Sequence, residues 1–238
     1  MSVLPVVEPL EKRELMSITL VGRQLNVVGA GRSANTITVG LNPGGASLFA
    51  EISYPLKKGT FNQTKSFPLS RVGLVNIGGG NASDLITIDQ TNGSFPVLTH
   101  ITTHNGVDTV MGGDEPDRII CGNGIDVVNS GNGNDTLQAG RGPDTLVGGD
   151  GNDHFQSGQS HDVLVGGNGN NTFVDPFGHT VIHGGSGHNT FILKSIQLDP
   201  DTTYTPGKDI LQHYTPPSKS SNVWNDILNG LIDYGGFL

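Results

Sequence analysis

The sequence predicts an all-β chain organised around an internal repeat. A nine-residue pattern recurs ten times without a gap between residues 103 and 192. Twenty of the chain's 36 glycines lie inside that stretch, most of them at fixed phases where they mark turns. Outside it, residues 18–102 read as short alternating β-branched runs bounded by Gly, Asn and Asp, a strand pattern rather than a helical one.

Composition narrows the choice of function. The 238 residues hold one Cys, 6% aromatics and a net charge of −9. A single Cys excludes an intramolecular disulfide framework. No run approaches 18 apolar residues, so no transmembrane helix is expected. The acidic balance, with only 13 basic residues, speaks against a nucleic-acid binder. With so few aromatics and so much glycine an ordinary apolar core would be thin, so something else must hold the chain together.

The charge sits in one place. Residues 103–192 hold eleven acidic residues and two basic ones, Arg118 and Arg141, which accounts for the whole −9. Written in nines, the segment runs THNGVDTVM, GGDEPDRII, CGNGIDVVN, SGNGNDTLQ, AGRGPDTLV, GGDGNDHFQ, SGQSHDVLV, GGNGNNTFV, DPFGHTVIH and GGSGHNTFI. The sixth position is Asp108, Asp117, Asp126, Asp135, Asp144, Asp153 and Asp162, then Asn171, Thr180 and Asn189. The eighth is apolar in every repeat, from Val110 to Phe191.

This Gly-Gly-x-Gly-x-Asp-x-apolar-x array resembles the RTX, or haemolysin-type calcium-binding, nonapeptide family. The resemblance implies that each nonapeptide forms a Gly-rich turn and a short strand, and that two make one coil of a right-handed parallel β-roll. It also implies calcium between stacked turns, held by the sixth-position Asp side chains and by turn carbonyls. The turn glycines concerned are Gly122, Gly124, Gly131, Gly133, Gly140, Gly142, Gly149 and Gly151.

Elementary physics agrees with that expectation. Glycines at the first, second and fourth positions open backbone angles closed to other residues and permit close approach to an ion. Carboxylate oxygen suits calcium better than a transition metal. One buried apolar side chain per nonapeptide contributes roughly 1.5–3 kcal/mol. Ordering nine backbones costs roughly 1–2 kcal/mol each, far more than that side chain returns. Carboxylates stacked at a strand spacing of about 4.8 Å would repel by roughly 3.5 kcal/mol at an effective dielectric near 20. A metal-free array is therefore expected to be mostly unfolded, with cation binding supplying the folding free energy. A metal-free Gly/Asp solenoid, with Asp there only for its turn preference, is the alternative.

In an 18-residue coil the acids divide between two edges. Asp108, Asp126, Asp144 and Asp162 stack on one, and Asp117, Asp135 and Asp153 on the other. Neighbouring pairs give five expected calcium ions, which would take the array from −9 to about +1. The strongest pairs are expected to be Asp126 with Asp144 and Asp135 with Asp153. The turns with Glu115 and Ser160 at the fourth position are expected to bind less well.

Four segments follow: a leader at 1–17, a degenerate β extension at 18–102, the array at 103–192, and a linker with an amphipathic tail at 193–238. The extension contains two alignable stretches, GAGRSANTITV from Gly29 and GGGNASDLITI from Gly78, and so reads as longer coils of the same solenoid. A separate β-sandwich is the alternative, and residues 40–70 read as a loop or hairpin. No N-terminal secretory signal is evident, although residues 10–17 resemble a short element near the start of some exported bacterial proteins. Val223, Trp224, Ile227, Leu228, Leu231 and Ile232 fall at helical spacing, which suits either a cap or the C-terminal export signal that the resemblance implies.

Catalytic motifs are missing: there is no H-E-x-x-H and no G-x-S-x-G. His161 and His179 share a phase and read as exposed turn residues. Cys121 reads as a small turn residue, open to cross-linking two chains outside the cell. The expectation is a non-enzymatic, exported structural or adhesive module that folds on calcium, with cell-surface or polysaccharide partners. The alternative is the non-catalytic part of a larger secreted enzyme.

Overall fold

The computed structural model describes residues 16–56, 59–194, 200–205 and 208–213. The expected C-terminal helix and residues 1–15 of the leader lie outside them.

Two sheets face one another along the whole described length. The ten-stranded sheet runs Ser17–Val21, Gln24–Val28, Leu74–Gly80, Thr99–Gly106, Asp117–Gly124, Thr136–Arg141, His154–Gln156, Thr172–Asp175, Thr190–Leu193 and Ile210–His213. The nine-stranded sheet runs Thr60–Pro68, Ser47–Pro55, Thr36–Leu41, Leu85–Asp89, Thr109–Met111, Val127–Asn132, Thr145–Asp150, Val163–Asn168 and Val181–His183. Consecutive strands alternate between the sheets through most of the chain, which makes a parallel β-solenoid. Among the described residues the only helical element is the 3-10 turn Leu69–Arg71. No helix among them is long and apolar enough to cross a membrane.

Register measures the coil. Ile119 pairs with Leu137 and Val128 with Leu146, so one coil of the array takes 18 residues. Before the array the coils lengthen. Val75 pairs with Thr99, a step of 24, and Gln24 with Leu74, a step of 50. Residues 18–102 thus contribute strands to the same two sheets as the array. The 40–70 excursion is an antiparallel hairpin, Ser47–Pro55 against Thr60–Pro68, laid on Thr36–Leu41. Lys65 Nζ donates to the Ile18 carbonyl at 2.6 Å and ties this hairpin to the first strand of the opposite sheet. After the array, Ile210–His213 pairs with Thr190–Leu193 at a step of 20, inside the stretch whose composition reads as linker.

The interior has two characters. Residues 16–102 pack an ordinary apolar core in which Leu25, Val27, Ile37, Leu48, Ile52, Val75, Ile86 and Ile101 are all buried. In the array the eighth-position side chains form single files, ending in Phe155, Phe173 and Phe191, whose neighbouring rings lie 4.8 and 5.3 Å apart. First-position residues also face inward: Thr103, Cys121, Ser130, Ala139 and Ser157 are buried. Cys121 is therefore a core residue rather than a turn residue, and is closed to cross-linking in this fold.

Candidate metal centre

The sixth-position side chains point into the solenoid. All seven sixth-position Asp are 1–3% exposed. This burial follows from the strand period, because the apolar eighth position faces the core and so must the sixth.

One oxygen of each carboxylate is used in stitching coils together. The backbone N–H of Asp108 donates to Asp126 Oδ1 at 2.9 Å, that of Asp126 to Asp144 Oδ1 at 2.8 Å, and that of Asp144 to Asp162 Oδ1 at 3.0 Å. On the other edge Asp117 donates to Asp135 at 2.8 Å, Asp135 to Asp153 at 2.9 Å, and Asp153 to Asn171 Oδ1 at 2.9 Å. Asn171 continues to Asn189 and Asn189 to Asp209, both at 3.0 Å.

The second oxygen divides the turns into two kinds. Oδ2 of Asp108, Asp126, Asp135, Asp144 and Asp153 is buried with no hydrogen-bond partner. Asp117 and Asp162 differ: Asp117 Oδ2 accepts from Gly113 N at 2.9 Å, and Asp162 Oδ2 from Gly158 N at 2.7 Å. These are the two Asp-bearing turns whose fourth residue is Glu115 or Ser160 in place of glycine. In the intact turns the second-position glycine is left-handed, as at Gly122 (φ 102°) and Gly140 (φ 104°); Gly113 and Gly158 are not. In the altered turns the second-position N–H points at the carboxylate and occupies the oxygen that the intact turns leave bare.

The glycines play separate parts. In the intact turns the second- and fourth-position glycines have positive φ and lie against the previous coil, so a Cβ on Gly142 would overlap the Gly124 carbonyl. First-position glycines such as Gly112 and Gly148 are not left-handed, contrary to expectation; their role is space. A Cβ on Gly148 would overlap Asp153 Oδ2 and lie 2.9 Å from the Gly166 carbonyl of the next coil. A Cβ on Gly112 would lie 2.6 Å from Asp117 Oδ2. Carboxylate and carbonyl oxygen from successive coils therefore converge on one small space.

Burial sets the electrostatics. It raises the pKa of Asp126 and Asp153 to about 6, and that of Asp135 to about 7, with the charges of Asp117 and Asp153 adding to the Asp135 shift. Asp144 is pushed up to about 8 by burial, then by the charges of Asp126 and Asp162. Asp108, Asp117 and Asp162 are raised by the same desolvation. Bare buried carboxylate oxygens with an added like-charge penalty are the condition that a cation relieves.

The donor set fits a hard divalent ion. Among the described residues no group of three or more His, Cys, Asp or Glu side chains converges, so a site must draw on backbone carbonyls as well as carboxylates. Calcium accepts such mixed oxygen sets, whereas zinc prefers clustered nitrogen and sulfur. His161 and His179 do neighbour one another, their tilted rings 5.3 Å apart between centroids, without a third ligand among the described residues.

Residues 102–137 and 138–173 match a family model described as the RTX calcium-binding nonapeptide repeat (4 copies). These residues carry RTX repeats. The match ends short of the last two nonapeptides, where Thr180 and Asn189 replace the acid. No curated protein and no solved structure matches the chain.

The ladder also reaches residues that sequence reasoning did not select. Asp84, 24 residues before Asp108, donates its N–H to Asp108 Oδ1 at 2.7 Å and accepts on Oδ1 from Asn35 N and Asn35 Nδ2, both at 2.7 Å. Its Oδ2 is buried without a partner, and a Cβ on Gly79 would lie 2.5 Å from it. The signal was present in GGNASDLIT, a nonapeptide with Ala82 at the fourth position, hidden by a longer coil.

Proposed function

We propose that the chain is an exported structural or adhesive module whose RTX array folds on binding about five calcium ions, with a further site beside Asp84. The observation that carries this reading is the file of buried, unpartnered Asp Oδ2 atoms on stacked coils. Asp108, Asp126, Asp135, Asp144 and Asp153 would hold the ions, with turn carbonyls completing each oxygen set. Calcium, when bound, supplies positive charge between carboxylates that otherwise repel and lack solvent.

The chain's own residues do the rest. In the folded array Oδ1 bonds hold each carboxylate in place against its neighbouring coil, second- and fourth-position glycines let coils stack closely, and first-position small residues keep the space open. Extracellular calcium modules work at about 10⁻⁴–10⁻³ M, so such an array stays open in a calcium-poor cytosol and closes outside it. Calorimetric titration of the full chain, followed in parallel by circular dichroism, tests the reading. A stoichiometry near five or six with a gain of β signal supports it. Equal β content in chelator and in calcium would falsify it.

A further inference from the structure

The outer face of the ten-stranded sheet carries a groove near its N-terminal end. Two adjoining hollows of about 370 and 340 Å³ share Val28, Gly78 and His104 in their lining. Parallel register places Asn26, Asn76, His100 and Arg118 in one row across four neighbouring strands. Two residues further along those strands, Val28, Gly78, Thr102 and Ile120 form the next row on the same face, and Gly78 leaves it a gap. His104 stands in the third row, between Gly80 and Gly122. Rows of paired strands run along the solenoid axis with a repeat of about 4.8 Å.

The chemistry of the lining is unlike the rest of the molecule. Among the described residues no Asp or Glu lines either hollow, although the chain carries a net −9. Arg32 and His104 line one hollow, and His100, His104 and Arg118 the other. Partial desolvation and the neighbouring Arg118 guanidinium hold the His100 pKa below its ordinary value. Asn76 Nδ2 donates to Asn26 Oδ1 at 3.0 Å, leaving a row of amides that can both donate and accept.

His104 is out of place by local rules. Its φ is 76°, and it is the one non-glycine residue with positive φ among those described. It occupies the second position of its nonapeptide, where Gly122, Gly131, Gly140 and Gly149 stand in later repeats. A bulky residue kept at a left-handed position points to a use for its side chain.

We propose that this groove binds an acidic polysaccharide laid along the solenoid axis, with Arg32, His104 and Arg118 meeting its carboxylates and Asn26 and Asn76 its hydroxyls. A linear polymer suits rows of donors repeated at one spacing, and an open trough suits a chain better than an enclosed small molecule. Among the described residues no Phe, Tyr or Trp lines the groove, and single-stranded nucleic acid draws much of its affinity from such stacking. The proposal goes beyond calcium binding and requires only the folded chain.

The test is binding of short oligogalacturonate to the full chain at fixed, saturating free calcium. Maltooligosaccharide of the same length and oligodeoxythymidylate serve as neutral and nucleic-acid comparisons. Two variants are used, Arg32→Gln with Arg118→Gln, and His104→Gly, the second of which also relieves the backbone. Binding of the uronate alone, weakened at least about tenfold in each variant while β content stays unchanged, is the expected result. Absence of uronate binding, binding indifferent to both variants, or equally tight binding of the neutral sugar or the DNA overturns the proposal. Calcium titration of the ligand-free chain reports on the calcium reading separately, so the two fail independently.

Discussion

The backbone N–H of Asp126 donates to Oδ1 of Asp144, one coil later, while Oδ2 of Asp144 stays buried and bare. One carboxylate thus takes part in two distinct interactions, a hydrogen bond that joins coils and a charge that separates them. Substitution can split the two. Asp144→Asn keeps the acceptor and removes the charge, as Asn171 and Asn189 already do further along the ladder. The variant is expected to bind about one calcium ion fewer, with its metal-free array more stable than the parent's. Asp117→Asn, whose Oδ2 already accepts from Gly113, is expected to change the stoichiometry little. Calorimetry and melting in chelator measure both.

Without calcium, stability should fall as pH rises. The folded-state pKa values of Asp126, Asp135, Asp144 and Asp153 lie at about 6 to about 8, above the ordinary carboxylate value of 3.8. The folded array therefore holds more protons than the unfolded one across that interval. Protonation stabilises it fully below pH 4, and the benefit is lost on passing upward through pH 6–8. In calcium-free buffer the array's β signal should be larger at pH 5 than at pH 8. Calcium competes with those protons, so its affinity should rise over the same range. A calcium-free β signal that grows with pH would contradict the assignment of bare carboxylates.

Chelation should melt the charged part of the array and spare what precedes it. Among the described residues, 18 of the 31 buried hydrophobic residues lie before residue 102, in a continuous apolar core. Hydrogen exchange on the full chain in chelator should show protected amides at Leu25, Ile37 and Ile86 and rapid exchange at Leu137 and Leu146. Uniform protection or uniform loss would refute this division.

Two glycine substitutions should fail differently. Gly142 has φ 108° and lies against the Gly124 carbonyl, so Gly142→Ala adds overlap to a handedness penalty of about 1–2 kcal/mol and should weaken folding of the array. Gly148 has no such φ, and Ala139 already occupies the same phase one repeat earlier. Gly148→Ala should fold in calcium but require more of it, because its Cβ intrudes on Asp153 Oδ2. Calcium midpoints by circular dichroism distinguish them.

Cys121 supplies a built-in reporter. Its side chain is fully buried, and burial followed by the surrounding carboxylates pushes the thiol pKa well up. Reaction with a thiol reagent should be fast in chelator and slowed by orders of magnitude in calcium. Similar rates in both would mean that the coil around Cys121 does not depend on the metal.

Much of this was legible in the sequence because the repeat is strict. A strict period of nine aligned an Asp at the sixth phase and an apolar residue at the eighth, and the two-nonapeptide coil implied by the RTX resemblance then divided the acids into two files; that those carboxylates are buried was not legible. What escaped depends on where strict periodicity stops. Asp84 and Asp209 join the same ladder through steps of 24 and 20, which an 18-residue template does not reach. The inward turn of Cys121 was missed because a small residue between glycines looks like part of a turn. The groove was invisible for a related reason: Asn26, Asn76, His100 and Arg118 lie at unequal separations in sequence and become a row only through strand register.

The charged part of the ladder is bounded on both sides by parts that carry their own cohesion. An apolar core precedes it, and the Asn171–Asn189 step with its tilted Phe173–Phe191 ring contact follows. When folded, each 18-residue coil advances the molecule by about 4.8 Å. The same 18 residues pulled straight span about 60 Å. Each coil that opens therefore lengthens the connection between the two ends roughly twelvefold. Calcium concentration would then set a mechanical reach: a short stiff rod where the ion is plentiful, and a long slack tether between two folded ends where it is scarce.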